Sequence, residues 1–231
     1  MRAVDDPAVL GELELFKGLA PRELEELNGL LRSSTVQAGT HFITAEQPGE
    51  VIYVLLEGTV KIYVTRPDGR EVILAFLGRG DTVGEMSLVD SAGRSANVVA
   101  TERARLLWMD RATFQTCVRN LTPLATNLVR LLSHRLRFAN EQIQALCTLD
   151  VQGRVARQIL AMADRYGSQE AGGEVRIPLR LTQSDLGEIV GASRERVNQV
   201  IVELKQRGLI SVDPVHRIHV HNRRELARYC S

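Results

Sequence analysis

The segment Leu181-Thr-Gln-Ser-Asp-Leu-Gly-Glu-Ile-Val-Gly-Ala-Ser-Arg-Glu-Arg-Val-Asn-Gln-Val-Ile-Val-Glu-Leu204 admits few folds. Thr182 followed three residues later by Asp185 reads as an N-cap with its capping-box acid, and Leu186, Ile189 and Val190 then line one face of a short helix. Gly191-Ala192-Ser193 interrupts that helix. Ser193 is placed to cap a second one, in which Val197, Val200, Ile201 and Leu204 repeat at helical spacing and Gly208 marks the end. Two short helices around a tight turn are the pattern of a helix-turn-helix. Its outer arc carries Arg194, Glu195, Asn198, Gln199 and Val202, on the part of the helix that reaches farthest into a major groove, so this face is predicted to read bases. An ordinary helical hairpin with a solvated face shares the local pattern, and the rest of the chain weighs against it.

Composition allows sizeable cores: 231 residues, 44% of them hydrophobic, suggest one to two domains. The net charge is only +1, but it is unevenly spread. Residues 151–231 carry 13 Lys/Arg against 9 Asp/Glu, a surplus of 4, whereas residues 1–150 carry 16 against 19, a deficit of 3. The basic share therefore travels with the helix-turn-helix. A surplus this modest implies that DNA affinity depends on a dimer doubling the phosphate contacts. No apolar run is long enough for a membrane span and the N-terminus lacks a signal-peptide core, so the expectation is a cytoplasmic protein with no membrane partner. Cys117, Cys147 and Cys230 are scattered, with neither a C-x-x-C pair nor a histidine at ligand spacing, which predicts reduced thiols and no metal site. Neither a Ser-His-Asp arrangement nor a P-loop is present, so the chain reads as a non-enzyme.

Hydrophobic periodicity changes three times along the chain. Residues 9–34 show a helical period, with Pro21 followed by Glu23, Glu25 and Glu26 at a helix start. From Thr35 to Met109 the period becomes two: Val60 to Val64 alternates, Val72 to Leu77 is a buried apolar run, and Pro67-Asp68-Gly69 turns between them. Glycines at short intervals support many short strands, as in a small antiparallel barrel or jelly roll. From Pro123 to Leu146, Leu128, Leu132, Leu136, Ala139, Ile143 and Leu146 approximate a heptad seam, which predicts a dimerisation helix. After Asp150 come a helix carrying Val155, Ile159, Leu160 and Met162, a loose polar loop from Gly167 to Gly173, and a β-rich wing over Ile210–Val220. The expected class is α+β: a β jelly-roll domain over 1–122, a dimerisation helix and hinge over 123–149, and a winged helix-turn-helix over 150–231.

Gly84-Glu85-Met86-Ser87-Leu88 and Arg94-Ser95-Ala96 stand one loop apart. They closely resemble the phosphate-binding cassette of cyclic-nucleotide-binding domains. Together with the long helix and the helix-turn-helix, the chain from about Leu15 to Val220 resembles the cyclic-AMP receptor protein (CRP/FNR) family of bacterial transcription regulators. The resemblance implies that Arg94 and Ser95 hold a cyclic phosphate, that Glu85 accepts from the ribose 2′-hydroxyl, and that Gly84 lets the sugar approach the backbone. It implies a homodimer whose long helix presents residues to the base; the family usually has Thr there followed by Ser or Asn, and this chain has Ala139-Asn140, with Arg135 one turn earlier. Asn140 can donate and accept at a purine edge, but Ala139 offers no hydroxyl. Cyclic AMP is the expected effector, with cyclic GMP, another small anion or no effector as alternatives.

By the same resemblance Arg194 and Glu195 read G·C pairs in a palindromic TGTGA-like site, while Thr182 and Ser193 hold phosphates. Arg196 and Gln199 depart from the usual Thr and Arg or Lys, and the Gln199 amide prefers adenine, so specificity should shift at one base pair. The expected switch is a hinge near Leu149-Asp150-Val151 that adjusts two reading heads to successive major grooves. RNA polymerase is an implied partner through the loop Gly167–Glu174. Two rivals remain: a cyclic-nucleotide-binding anchoring module without DNA binding, and a haem-bearing regulator using His41 or His134.

Overall fold

The computed structural model of the chain describes residues 3–90, 92–170 and 173–230. It divides into two compact units, residues 1–70 with 74–137 and residues 71–73 with 138–231.

In the first unit, two 3-10 turns (Pro7–Glu12 and Glu14–Phe16) and helix α1 (Pro21–Leu30) lead into a double-layered jelly roll. Its strands are β1 (Arg32–Val36), β2 (His41–Ile43), β3 (Val51–Glu57), β4 (Val60–Thr65), β5 (Glu71–Leu77), β6 (Thr82–Val83), β7 (Asn97–Ala100) and β8 (Ala104–Asp110). One sheet has the order β1-β8-β3-β6 and the other β2-β7-β4-β5. Strand β3 is almost wholly apolar because both its faces are covered. Ile52, Val54 and Leu56 pack with Phe16, Leu27 and Phe114 outside the roll, while Leu55 joins Leu106, Val98 and Val60 inside it.

Three expectations need correction here. The strand region begins at Arg32 rather than Thr35, because β1 pairs with β8 and Arg32 stacks over the facing Trp108 ring at 5.0 Å. The run Val72–Leu77 is not uniformly buried: Leu74 is exposed, next to the buried Ile73, because successive side chains of a strand point to opposite faces. Helix α3 (Arg111–Asn120), started by Asp110 accepting from the Thr113 amide at 2.8 Å, follows the last strand and was not anticipated.

Helix α4 runs from Thr122 to Thr148. The seam read from Leu128 is displaced at its start. Leu124 and Leu128 are buried in the first unit's core and Leu132 packs partly against it. The apolar residues that α4 leaves bare are Val129, Leu136 and Ile143, 64%, 65% and 60% exposed, followed by Leu146.

In the second unit, Asp150 caps α5 (Val151–Tyr166) by accepting from the Gly153 amide at 2.8 Å. Helices α6 (Gln183–Val190) and α7 (Arg194–Gln206) follow, and α8 (Arg223–Ala227) lies near the C-terminus. The predicted loose loop is partly ordered as a hairpin of β9 (Ser168–Gln169) and β10 (Val175–Arg176); Ala171 and Gly172 in that turn lie outside the described residues. With the wing strands β11 (Ile210–Val212) and β12 (Ile218–Val220) these make a sheet of order β11-β12-β10-β9. Val155, Ile159, Val175, Leu186, Val197, Ile201, Leu204, Ile218 and Val220 are buried. No helix among the described residues is long and apolar enough to cross a membrane.

Candidate anion site and nucleic-acid interface

Strand β6 ends at Val83, and the chain then turns sharply through Gly84 at φ +88° into the short helix α2 (Glu85–Asp90). Only glycine suits this corner: a Cβ at Gly84 would lie 3.0 Å from the Val51 carbonyl oxygen and overlap the Arg94 guanidinium. The close approach lets Arg94, only 9% exposed, reach three acceptors. Nη1 donates to Gly84 O and to Ser87 Oγ, both at 2.9 Å, and Nη2 donates to Val51 O at 2.6 Å. All three acceptors are neutral. Burial accordingly holds the guanidinium below its usual pKa, opposed by the nearby Tyr53 and Glu85 and reinforced by Arg111. A cation desolvated among neutral acceptors is stabilised by an incoming anion, and the N–H groups that Arg94 has not committed are available to one.

Glu85 is 1% exposed. Its Oε1 accepts from Arg135 Nη1, and the same guanidinium donates through Nη2 to Thr82 O. Oε2 of Glu85 is buried and has no hydrogen-bond partner among the described residues, and the neighbouring Thr82 Oγ1 is in the same condition. An unsatisfied buried carboxylate oxygen is costly, so a hydrogen-bond donor to Glu85 Oε2 is the group this corner lacks among the described residues. Arg135 thus meets the cassette acid directly, whereas the sequence reading has it supplement the contacts of Ala139 and Asn140 with the base. Ser95 is exposed, with its Oγ 4.0 Å from the sulfur of the exposed Met86, and Ala96 is buried just before β7. Ala139 and Asn140 are exposed on α4, in the second unit.

Sequence reasoning missed Arg111. From the first residue of α3, its Nη2 donates to Gly49 O at 2.7 Å and to Ser87 O at 2.8 Å, while Nε stands 3.6 Å from Glu50. One guanidinium therefore fixes the loop before β3 to the first turn of α2. Its partners are backbone carbonyls, which carry no sequence signal.

The interface on α6 and α7 forms as its caps dictate. Thr182 Oγ1 accepts from the Asp185 amide at 3.1 Å and the Asp185 carboxylate accepts from the Thr182 amide at 2.9 Å, completing the capping box. Gly191 ends α6 in the left-handed region at φ +65°, and Ser193 Oγ accepts from the Arg196 amide at 3.3 Å. Leu186 and Val190 are buried as expected, whereas Ile189 is only partly so. Thr182, Ser193, Arg194, Glu195, Arg196, Asn198 and Gln199 are all exposed, most of them on one face of α7. Two hydrogen bonds order this face. Gln183 donates to Asn198 Oδ1 at 2.8 Å, and Arg196 Nη1 donates to Gln199 Oε1 at 3.0 Å. The Glu195 carboxyl is held below the usual range by its own backbone amide and by Ser193, so it stands ready as an ionised acceptor.

Residues 34–120 match the cyclic nucleotide-binding domain, and residues 153–229 match the Crp-like helix-turn-helix domain. The chain is 35% identical over 206 residues to the CRP-like cAMP-activated global transcriptional regulator of Mycobacterium tuberculosis, covering 89% of this chain and 91% of that protein. It is 32% identical over 201 residues to the cyclic AMP receptor protein of Thermus thermophilus, covering 87% and 89%. Among solved structures, FixK2 from Bradyrhizobium japonicum shares the fold with a TM-score of 0.77 at 22% identity, over 87% of this chain and 98% of that one.

Proposed function

The chain belongs to the CRP/FNR family of transcription regulators, which are not enzymes, and from that premise we propose that it is a homodimer whose grip on a palindromic DNA site is set by a cyclic nucleotide, cyclic AMP foremost. The observation that carries the effector is the pairing of two needs in one corner. Arg94 is a buried cation held by neutral acceptors, and the Glu85 Oε2 beside Gly84 is a buried acceptor without a donor among the described residues. A cyclic nucleotide brings both groups, an anionic phosphate for Arg94 and Ser95 and a 2′-hydroxyl for Glu85. Gly84, Met86, Ser87 and Ala96 shape the cassette around them, Arg135 fixes the carboxylate, and Asn140 and Ala139 set the preference among bases.

Two copies are proposed to meet along Val129, Leu136, Ile143 and Leu146 of α4. Arg194 and Glu195 read a G·C pair, Gln199, Asn198 and Arg196 complete the reading face, and Thr182 and Ser193 contact phosphates. The match of residues 153–229 to a Crp-like helix-turn-helix favours this reading over an anchoring module that ignores DNA. Such a regulator works in the cytoplasm. The hairpin between Gly167 and Glu174 is its proposed contact with RNA polymerase.

Calorimetric titration with cyclic AMP, cyclic GMP and 2′-deoxy cyclic AMP tests the effector. Cyclic AMP should bind, the deoxy analogue should bind roughly tenfold more weakly, and Arg94→Leu should remove the heat. Absence of heat from every nucleotide would overturn the effector and leave the DNA reading standing. One observation favours a different effector: Ala139 supplies no hydroxyl at a position exposed on α4. A stronger response to cyclic GMP or another anion would support that second reading.

A further inference from the structure

The wing sheet has a second chemistry on its open side. Val175 faces Val220 across the β10–β12 pairing and both are buried, which turns their neighbours Arg176 and His219 to the other face. One step further along the same register, His221 meets Glu174, with Nδ1 2.8 Å from Oε1. Across the adjoining hairpin the Glu170 amide donates to Glu174 O at 2.8 Å, and this brings the Glu170 carboxylate to His219, 3.2 Å from Nδ1. The β9–β10 hairpin and the end of β12 thus deliver two carboxylates and two imidazoles to one half-buried patch. One ligating atom from each of Glu170, Glu174 and His219 lies within 4.8 Å of the others.

We propose that Glu170, Glu174 and His219, with His221 supporting Glu174, form a site for a divalent transition ion of the zinc class. Imidazole nitrogen beside carboxylate oxygen is the donor set of zinc and its neighbours, not of calcium or magnesium, which take oxygen alone. Charge favours a cation. Asp213 adds a third carboxylate, with Oδ2 4.0 Å from His219 Nε2. The competing cation, Arg176, is held loosely: its Nε stands 3.6 Å from Glu170 and makes no hydrogen bond among the described residues. Zinc ligand atoms at bond lengths of about 2.0–2.2 Å stand closer together than 4.8 Å, so the ion draws the three side chains in, which their partial exposure permits. Bound there, it clamps the β9–β10 hairpin to β12, the strand leaving the wing. Motif spacing carries no signal of this site, because His219 lies far along the chain from Glu170 and Glu174 and only the sheet register brings it to them.

The test uses full-length, chelator-treated protein with Cys147 and Cys230 changed to serine, so that thiols do not compete. Zinc is titrated calorimetrically and cobalt by its visible d–d absorption. The expected result is one ion per chain, weakened at least about tenfold by His219→Gln and by Glu174→Gln, with the melting temperature raised by zinc in the parent protein only. Far-ultraviolet dichroism of the metal-free variants verifies that the fold is kept. Equal stoichiometry and affinity in the parent and both variants would overturn the proposal, as would the lack of saturable binding in the parent.

Discussion

Gly84 sets how closely three carbonyl and hydroxyl acceptors crowd Arg94, so it is the residue where the effector site is easiest to break without unfolding the roll. Gly84→Ala places a Cβ in the left-handed region at a strain of ~1–2 kcal/mol, and also against Arg94. The expected outcome is a melting temperature lower by a few degrees together with a loss of nucleotide affinity of roughly tenfold or more, read by calorimetry; unchanged affinity would show that the guanidinium is not the phosphate partner. At Asp110 the prediction concerns acid stability. The Thr113 amide, more than any other neighbour, holds this carboxyl below its usual pKa. A depressed carboxylate stabilises the fold above its unfolded pKa, about 3.9, and that contribution is lost as pH falls through the folded value. Asp110→Ala should therefore lower the thermal midpoint at neutral pH and flatten its decline below about pH 4, as followed by scanning calorimetry. Gly84, Glu85, Arg94 and Ser95 were legible in the sequence because they sit in one short stretch. Arg111 and the orphaned Thr82 hydroxyl were not, since their meaning lies in backbone carbonyls and in burial.

Two helices carry the proposed functional surfaces, and they differ in how plainly the sequence announced them. Helix α7 was readable throughout: a cap at Ser193, a buried stripe, a stop at Gly208 with φ +67°, where the Leu209 amide donates to Leu204 O at 3.0 Å. Arg194→Ala should cost ~1–3 kcal/mol on the cognate site and relax the preference at one base pair, measured by anisotropy on sites selected from a random pool; binding that is unchanged removes Arg194 from the reading set. Helix α4 was readable in type but not in phase. Its apolar residues serve two surfaces, and periodicity alone does not say that Leu124 and Leu128 belong to the roll's own core while Val129, Leu136 and Ile143 stay bare at seven-residue intervals. Leu136→Asp places a charge on that bare stripe in both copies of a dimer. Loss of two buried leucines alone is worth about 3–6 kcal/mol, so sedimentation should show the dissociation constant raised at least about a hundredfold, with each monomer still folded. A dimer that survives unchanged would move the seam elsewhere. Helix α3 and the β9–β10 hairpin escaped the sequence reading for different reasons: the helix follows a strand directly, with Asp110 ending one and capping the other, and the hairpin has strands of two residues, too short to show a period.

For the whole molecule, the question is how effector and DNA sense each other, and thermodynamics constrains the answer before geometry does. If a nucleotide raises operator affinity by some factor, the operator raises nucleotide affinity by the same factor, typically about 5–150-fold. Within the second unit one residue ties the end of α4 to the end of α6. Arg154, in the first turn of α5, donates through Nη1 to Leu149 O at 2.9 Å, just past the end of α4, and through Nε to Val190 O at 2.8 Å, the last residue of α6. The same turn receives the end of α4 from another side, since a Cβ on Gly191 would lie 3.5 Å from Leu146 Cδ2. If such coupling runs through this joint, a displacement at Leu149 would reach the turn between α6 and α7 through two charge-assisted hydrogen bonds, each worth about 1.5–3 kcal/mol. Arg154→Gln shortens that reach while keeping a polar side chain. It touches neither the cassette nor the reading face, so affinity for nucleotide alone and for operator alone should stay within about threefold of the parent. What should fall is the coupling factor, measured as the ratio of nucleotide dissociation constants with and without saturating operator. A variant with both single affinities and the ratio intact would show that the signal bypasses Arg154.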